Sequence, residues 1–139
     1  MSIKNLSPYI TLDGTASDAI ALYERVFGAT KLNVTRAADV AGADVSPDQQ
    51  NRVIHGALRI GQSVLMVSDA ASASEARAGN VQVALDFADV AHLTHTFAAL
   101  AEGGEVTLPV QDTFWGAKFG MLTDRFGVRW LLNCETAKQ

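Results

Sequence analysis

The sequence predicts an α+β fold in which one β-α-β-β-β unit occurs twice. The first observation is the order of the elements, a strand, a helix and three strands, which repeats along the 139 residues. The second is a match between the two halves: YITLD (9–13) with QVALD (82–86), and IGQSVLMVSD (60–69) with FGVRWLLNCE (126–135) at a constant offset of 66. Similar patterning without common architecture is the alternative, and the repeated element order favours a true duplication.

We predict a single domain over residues 1–139, with modules at about 6–70 and 80–136. Each module is expected to cover one face of a mixed or antiparallel sheet with its helix and to leave the other face concave, where a ligand would bind. The segment 71–80, ASASEARAGN, is of low order and marks the predicted boundary. The segment 37–50 lacks periodicity and is predicted to be a long loop.

The first module is predicted to contain a strand at 9–12, a helix at 18–28, a strand at 31–36 and a hairpin of strands at 51–60 and 62–69. Ile20, Tyr23 and Phe27 recur at the spacing of one helical face. Thr15 or Ser17 is available as the helix N-cap, and Gly28 is the expected C-terminal cap.

The second module is predicted to contain a strand at 81–87, a helix at 89–104 and strands at 104–110, 117–124 and 128–135. The apolar stripe of this helix is Val90, Leu93, Phe97 and Leu100. The two modules therefore have the same predicted order of elements.

Composition excludes several classes of function. The chain has 11 Lys and Arg against 15 Asp and Glu, with no basic run, so we do not expect a nucleic-acid partner. One cysteine, Cys134, excludes an internal disulfide. The start MSIKNLSPYI lacks the pattern of a signal peptide, and no apolar run is long enough to span a membrane, so a soluble cytoplasmic protein is expected.

Alternation along the strands predicts which side chains face the cavity. The more uniformly apolar set of each strand is assigned to the helix side. That set is Ile10, Leu12, Ile54, Leu58, Ile60, Val81, Val83, Leu85 and Phe87. The cavity side then holds Tyr9, Thr11, His55, Ala57, Arg59, Gln82, Ala84 and Asp86.

The segment QDTFWGAKFGMLTDRFGVRW (111–130) concentrates both tryptophans of the chain. Phe114 and Trp115 follow polar residues and precede Gly116, and they are candidates for a pocket wall, a subunit interface or plain packing. Trp130 lies in an apolar run and is predicted to belong to the core.

Three segments, together with the element order, resemble the vicinal oxygen chelate superfamily of glyoxalase, bleomycin resistance and dioxygenase proteins, and within it the PhnB-like branch. They are YITLDGTASDAIALYERVFGA, HGALRIGQSVLMVSD and QDTFWGAKFGMLTDRFGVRWLLN. One departure is Arg125, where many relatives have proline. The resemblance implies two β-α-β-β-β modules, a homodimer and, in the catalytic members, a divalent metal held by the sheet.

The metal positions that the resemblance implies lie on the first and last strands of the modules. Here they hold Tyr9 and Gln82, then Leu65 or Met66, and Leu131 or Leu132. Gln82 is a weak ligand, and leucine and methionine do not bind a hard or borderline cation. We therefore expect no cofactor, or an atypical site for Zn, Ni, Fe or Mn with His55 and Gln82 as ligands.

Several histidine, cysteine, acidic and arginine residues could have either a functional or a structural role. His55, at a place where the PhnB-like branch commonly has histidine, is a candidate acid/base residue or else a satisfied core histidine. His92 and His95 are expected on a solvated helix face, and Cys134 is expected to be structural. Asp69 and Glu135 are expected to be solvated strand ends. Arg59 could pair an anionic ligand group or form a surface salt bridge.

Two classes of function follow, with a third reading for the aromatic segment. The first is a protein that binds a small molecule in an aromatic-walled cavity, with Tyr9, Arg59, Met66, Gln82, Phe114 and Trp115 as contacts. The second is a metal-dependent glyoxalase-like lyase or isomerase, or a dioxygenase relative, with His55 and Gln82 at its centre. In the third, Phe114 and Trp115 serve the dimer.

Overall fold

The structure, a computed structural model, describes residues 2–40, 46–70 and 79–136. Two compact units divide the chain, Met1–Arg77 and Ala78–Gln139. Each has the β-α-β-β-β order, so the predicted fold class is confirmed. Within the described ranges, neither helix has the length and apolar composition needed to cross a membrane.

The first unit places its helix on one face of a four-stranded mixed sheet. Its elements are β1 (Tyr9–Leu12), α1 (Ala16–Phe27), β2 (Thr30–Arg36), β3 (Val53–Ile60) and β4 (Ser63–Asp69). The strand order is β1-β4-β3-β2, with β1 parallel to β4 and the other neighbours antiparallel. Short 3-10 turns occupy Ala37–Asp39 and Pro47–Gln49 within the predicted long loop, and its residues 41–45 lie outside the described ranges.

The second unit repeats this arrangement. Its elements are β5 (Val83–Asp86), α2 (Val90–Ala101), β6 (Glu105–Asp112), β7 (Ala117–Thr123) and β8 (Arg129–Glu135). The strand order is β5-β8-β7-β6, and again only the first strand runs parallel to its neighbour. The predicted boundary segment falls mostly on residues 71–78, which lie outside the described ranges.

The start of α1 corrects two sequence predictions. Thr15 is the N-cap residue but makes no side-chain capping bond, and the Ser17 hydroxyl accepts instead from Arg36 Nη1. The first helical amide, Ala16 N, donates to Asp69 Oδ1 at 2.9 Å, and Val53 N donates to Asp69 Oδ2 at 2.9 Å. Asp69 is therefore not a solvated strand end, because it is buried. A buried carboxylate needs hydrogen-bond donors for its oxygens, and here the donors come from α1 and β3, so Asp69 of β4 connects the helix to two strands.

Each helix contacts its sheet at a glycine. A Cβ added to Gly56 would lie 3.0 Å from Ile20 Cδ1, and one added to Gly120 would lie 2.8 Å from Phe97 Cε2. The absence of a side chain at these two strand positions lets the helix side chains approach the backbone. Trp130 is fully buried, so its predicted core role is confirmed.

Two residues predicted to lie under a helix are exposed. Ile54 is 38% exposed because the strand is irregular there: Thr35 pairs with His55 and Arg36 pairs with Val53, so Ile54 has no partner in the register, and Val53 is buried near Gly56 instead. Val81 is 76% exposed and precedes β5. Alternation predicts the side of a residue only where the strand is regular.

The predicted offset of 66 between the closing strands is wrong by one residue. Gly56 pairs with Val67 in the first sheet, and Gly120 pairs with Leu132 in the second. Both glycines face their own helix, so Val67 and Leu132 are equivalent and lie 65 positions apart. An offset of 66 would instead match Met66, on the helix-free face, with the buried Leu132. A slip of one residue exchanges the two faces of a strand.

Candidate functional site

The helix-free face of the first sheet carries most of the predicted site residues. Residues paired across neighbouring strands point to the same side of a sheet, so the register defines rows of neighbours. The first row is Tyr9, Met66, Ala57 and Asn33. Thr11 pairs with Ser68 and His55 pairs with Thr35, and the register of β3 and β4, continued by one residue beyond Gly56 and Val67, places these two pairs in a second row. Arg59 follows on the same face, paired with Val64 and Thr30. Tyr9, His55, Arg59 and Met66 are thus brought onto one surface, as predicted.

An aromatic pair is the central feature of this face. The rings of Tyr9 and His55 lie 5.9 Å apart between centroids, with an interplanar angle of 40°. Tyr9 is 51% exposed, whereas Ser68 and Ala57 in the neighbouring strands are buried. The arrangement provides two rings, a thioether from Met66 and polar groups at neighbouring positions, which suits a small partly apolar ligand.

Arg59 is the cation of this face. Its side chain is exposed, and among the residues described it forms no ion pair. A guanidinium of this kind can pair with a carboxylate or a phosphate.

The second unit presents Phe114 and Trp115 on the turn between β6 and β7. Thr113 shapes this turn, since its hydroxyl accepts from Ala117 N at 3.1 Å and Gly116 adopts φ 81°. Phe114 is 98% exposed, and its ring is perpendicular to that of Trp115 at 5.0 Å. Trp115 in turn meets Phe119 of β7 at 5.5 Å and 79°. The glycine-rich turn therefore displays the aromatic side chains.

Gln82 lies apart from this aromatic turn. It precedes β5, whose first residue Val83 pairs with Trp130 near the start of β8. The turn is at the other end of β8, where Ala117 pairs with Glu135. Within the second unit the sheet therefore does not bring Gln82 together with Phe114 and Trp115.

The D-R-F-G-V-R-W segment (124–130) has a structural role. Asp124 Oδ1 accepts from the amides of Phe126 and Val128 at 2.9 and 3.0 Å, and Oδ2 accepts from Trp130 Nε1 at 2.8 Å. Gly127 completes the turn with φ 88°. This part of the third segment that resembles the family thus builds the β7–β8 turn.

The residues around His55 do not fit a metal centre of three or more protein donors. Its neighbours in the same row are the hydroxyls of Ser68, Thr35 and Thr11, and neutral hydroxyls are not the usual ligands of zinc, nickel or iron sites. Among the described residues no group of three or more His, Cys, Asp or Glu side chains could hold a metal ion. The donor set therefore disagrees with the metal that the resemblance implies.

The remaining candidates occupy structural or solvated positions. His92 and His95 are exposed on α2, and the His92 ring meets Phe87 edge-on at 5.2 Å. Cys134 is buried in β8, and Glu135 is exposed, as expected.

Sequence reasoning missed polar residues that share these helix-free faces. Ser68 lies between Thr11 and His55, and Asn133 lies between Asp86 and Phe119. Alternation placed Asp86 on this side. It was not a candidate site residue, because the side chains beside it depend on which strand pairs with β5. The signal that could have found them is alternation along the closing strands, which puts Ser68 on the side of Met66 and Asn133 on the side of Leu131.

Two β-α-β-β-β units with helix-free sheet faces define the class of fold that glyoxalase and bleomycin resistance proteins share. Residues 8–132 match the family model of the Glyoxalase/Bleomycin resistance protein/Dioxygenase superfamily, and the chain belongs to this family.

Similar proteins cover nearly the whole chain. Protein YjdN of Escherichia coli (strain K12) is 34% identical over 137 residues, which is 92% of this chain and 93% of that protein. The crystal structure of protein PA1353 from Pseudomonas aeruginosa has 32% identity and a TM-score of 0.81, covering 97% of this chain and 100% of the other. A Bacillus cereus protein described as a putative 3-demethylubiquinone-9 3-methyltransferase, PhnB protein, has 20% identity and a TM-score of 0.75, covering 94% and 99%. The last of these supports the fold alone.

Proposed function

We propose that the chain binds a small molecule on the helix-free face of its first sheet, with Tyr9, His55, Met66 and Arg59 as contacts. The observation that carries this proposal is the Tyr9–His55 ring pair, 5.9 Å apart and accessible on one surface. The ligand class is a flat, partly apolar molecule with an anionic group. The rings and the thioether contact its apolar part, and Arg59 pairs with its charge.

Binding is favoured over metal-dependent turnover by the groups next to His55. Hydroxyls in the same row can position a ligand by hydrogen bonds, whereas a metal-dependent lyase or dioxygenase needs carboxylate or imidazole donors there. His55 in this proposal contacts the ligand and is available as a proton donor or acceptor.

A titration with naphthoate, a flat aromatic carboxylate, tests this binding face. Amide shifts in two-dimensional NMR should concentrate in β1, β3 and β4. We expect Tyr9→Ala to weaken binding about three- to tenfold, the worth of one aromatic contact. Arg59→Ala should weaken it about two- to fivefold, because an exposed charge pair contributes up to about 1 kcal/mol.

The matched control for charge is Arg25→Ala, which removes an exposed arginine from α1 on the other side of the sheet. Phe114→Ala is the control for an exposed aromatic ring in the other unit. Equal losses in Arg25→Ala and Arg59→Ala, or shifts outside β1, β3 and β4, would contradict a site on this face.

The metal alternative has its own test, the stoichiometry of bound Zn, Ni, Fe and Mn in untagged protein. About one metal per chain that is lost in His55→Ala would replace the binding proposal with a metal-dependent enzyme. We expect neither protein to retain a stoichiometric metal. The homodimer and the cytoplasmic location stay predictions from the sequence and the resemblance.

A further inference from the structure

A second set of ligand-binding groups lies on the helix-free face of the second sheet. Asp86, Asn133, Phe119 and Gln111 are consecutive partners across β5, β8, β7 and β6. They form one row on the face opposite α2, because Gly120, next to Phe119, is the residue that faces the helix. The row combines a carboxylate, two amides and an aromatic ring.

The Asp86 carboxylate is held in place but not neutralised. Asn133 Nδ2 donates to Asp86 Oδ1 at 3.3 Å, which orients the carboxylate along the row, and the Asp86 side chain is exposed. An amide donor orients a carboxylate without cancelling its charge.

The cations described in the second unit all have other partners. Lys118 Nζ lies 2.9 Å from Asp112, Arg125 lies 4.0 Å from Glu102, and Arg129 Nη1 donates to the carbonyl of Gly79 at 2.7 Å. Glu135 adds a second exposed carboxylate to the helix-free face, where it pairs with Ala117. Arg129 lies on the same face, since it has the parity of Asn133 and Glu135 and pairs with Thr123, but it is at the other end of β8. The end of the face that holds Asp86 and Glu135 therefore has negative charge.

Aromatic rings lie on the same face, separated from Asp86 by one strand. Phe119 is half-buried in the row itself, and Trp115 stands nearly perpendicular to it, with centroids 5.5 Å apart. The face of an aromatic ring is electronegative and attracts cations. Two rings at right angles beside a carboxylate favour an organic cation over a metal ion, which would need several oxygen donors.

We propose that this face binds an organic cation, an alkylammonium or quaternary ammonium group, between Asp86 and the rings of Phe119 and Trp115. Asp86 and Phe119 are separated by one intervening strand, so their backbones lie about 10 Å apart. A cation above Asn133 can then approach the carboxylate and lie within about 6 Å of the Phe119 ring, the range of a cation–π contact. This site is independent of the naphthoate face and goes beyond the proposed function.

Choline is the probe, and its uncharged isostere, with carbon in place of the quaternary nitrogen, is the matched control ligand. Choline should shift the Trp115 indole resonance and the amides around Asp86, Asn133 and Phe119, and the isostere should bind about tenfold more weakly or not at all. Asp86→Asn keeps an acceptor for Asn133 and removes only the charge, and it should weaken choline binding about tenfold. Phe119→Leu keeps apolar bulk without the ring and should weaken it about two- to fivefold.

Asp112→Asn is the matched control variant, since it removes an exposed carboxylate of β6 that already pairs with Lys118. It should leave choline affinity unchanged, and Asp86→Asn should leave naphthoate affinity unchanged. Equal affinities for choline and its isostere would overturn the proposal, as would equal losses in Asp86→Asn and Asp112→Asn. The two proposals can therefore be refuted separately, because an absence of naphthoate binding does not bear on choline binding.

Discussion

The hydrogen bond between Trp130 and Asp124 predicts a measurable coupling in stability. Trp130 is fully buried, Asp124 is 3% exposed, and the indole Nε1 donates to Asp124 Oδ2 at 2.8 Å. Asp124→Asn retains Oδ1, which accepts from the amides of Phe126 and Val128. It replaces Oδ2 with an NH₂ group, so that two donors face each other and the buried indole loses this acceptor.

The expected loss follows from the burial of the indole. A buried donor deprived of its acceptor costs about 1–3 kcal/mol, more when the acceptor was charged. In a Trp130→Phe background the indole donor is absent, so Asp124→Asn no longer sets two donors against each other. We expect the substitution to cost about 1–2 kcal/mol less in that background, and this difference is the coupling energy of the pair.

The assay is urea unfolding of the four proteins of the cycle, followed by far-UV circular dichroism because Trp130→Phe changes the fluorescence. Asp112→Asn controls for loss of a carboxylate at an exposed ion pair and should cost less than about 1 kcal/mol. A coupling below about 0.5 kcal/mol, within the error of additivity, would refute the role assigned to the indole bond.

Two further predictions concern packing and buried polarity. Gly120→Ala should destabilise the protein by about 1–3 kcal/mol, since its Cβ would crowd Phe97 and the strand carbonyl of Leu108. Gly79→Ala is the control and should be neutral, because the space around Gly79 is open. Equal unfolding free energies of the two variants would contradict this prediction. Thr96→Val should stabilise by about 1 kcal/mol, because the buried Thr96 hydroxyl has no hydrogen-bond partner among the residues that the structure describes. Thr94→Val, which removes an exposed hydroxyl bonded to a main-chain oxygen, serves as its control in the same urea assay and should not stabilise.

The strands and helices could be predicted because their signals are local. The bounds of β1 agree with the prediction, and Gly28 ends α1 in the left-handed conformation, as expected. Alternation also placed Tyr9 and His55 on one face. These features depend on periodicity and turn chemistry within a few residues.

The predictions that failed depend on long-range contacts. Asp69 takes the capping role expected of Thr15, and it is 53 residues away from the amide it binds. The pairing of Asp86 with Asn133 spans 47 residues. No local pattern indicates which strand lies beside which, so a site assembled from neighbouring strands cannot be predicted until the register is known.

Correctly aligned, the two units show what the duplication retained and what it changed. Gly56 and Gly120 are equivalent, and both allow a helix side chain to approach the sheet, so the helix side is under the same packing constraint in both units. The helix-free rows have no such constraint and differ in chemistry: Thr11, Ser68, His55 and Thr35 in the first unit, and Asp86, Asn133, Phe119 and Gln111 in the second. Because an imidazole among hydroxyls and a carboxylate beside aromatic rings favour different ligand groups, the two faces are expected to discriminate between anionic and cationic molecules.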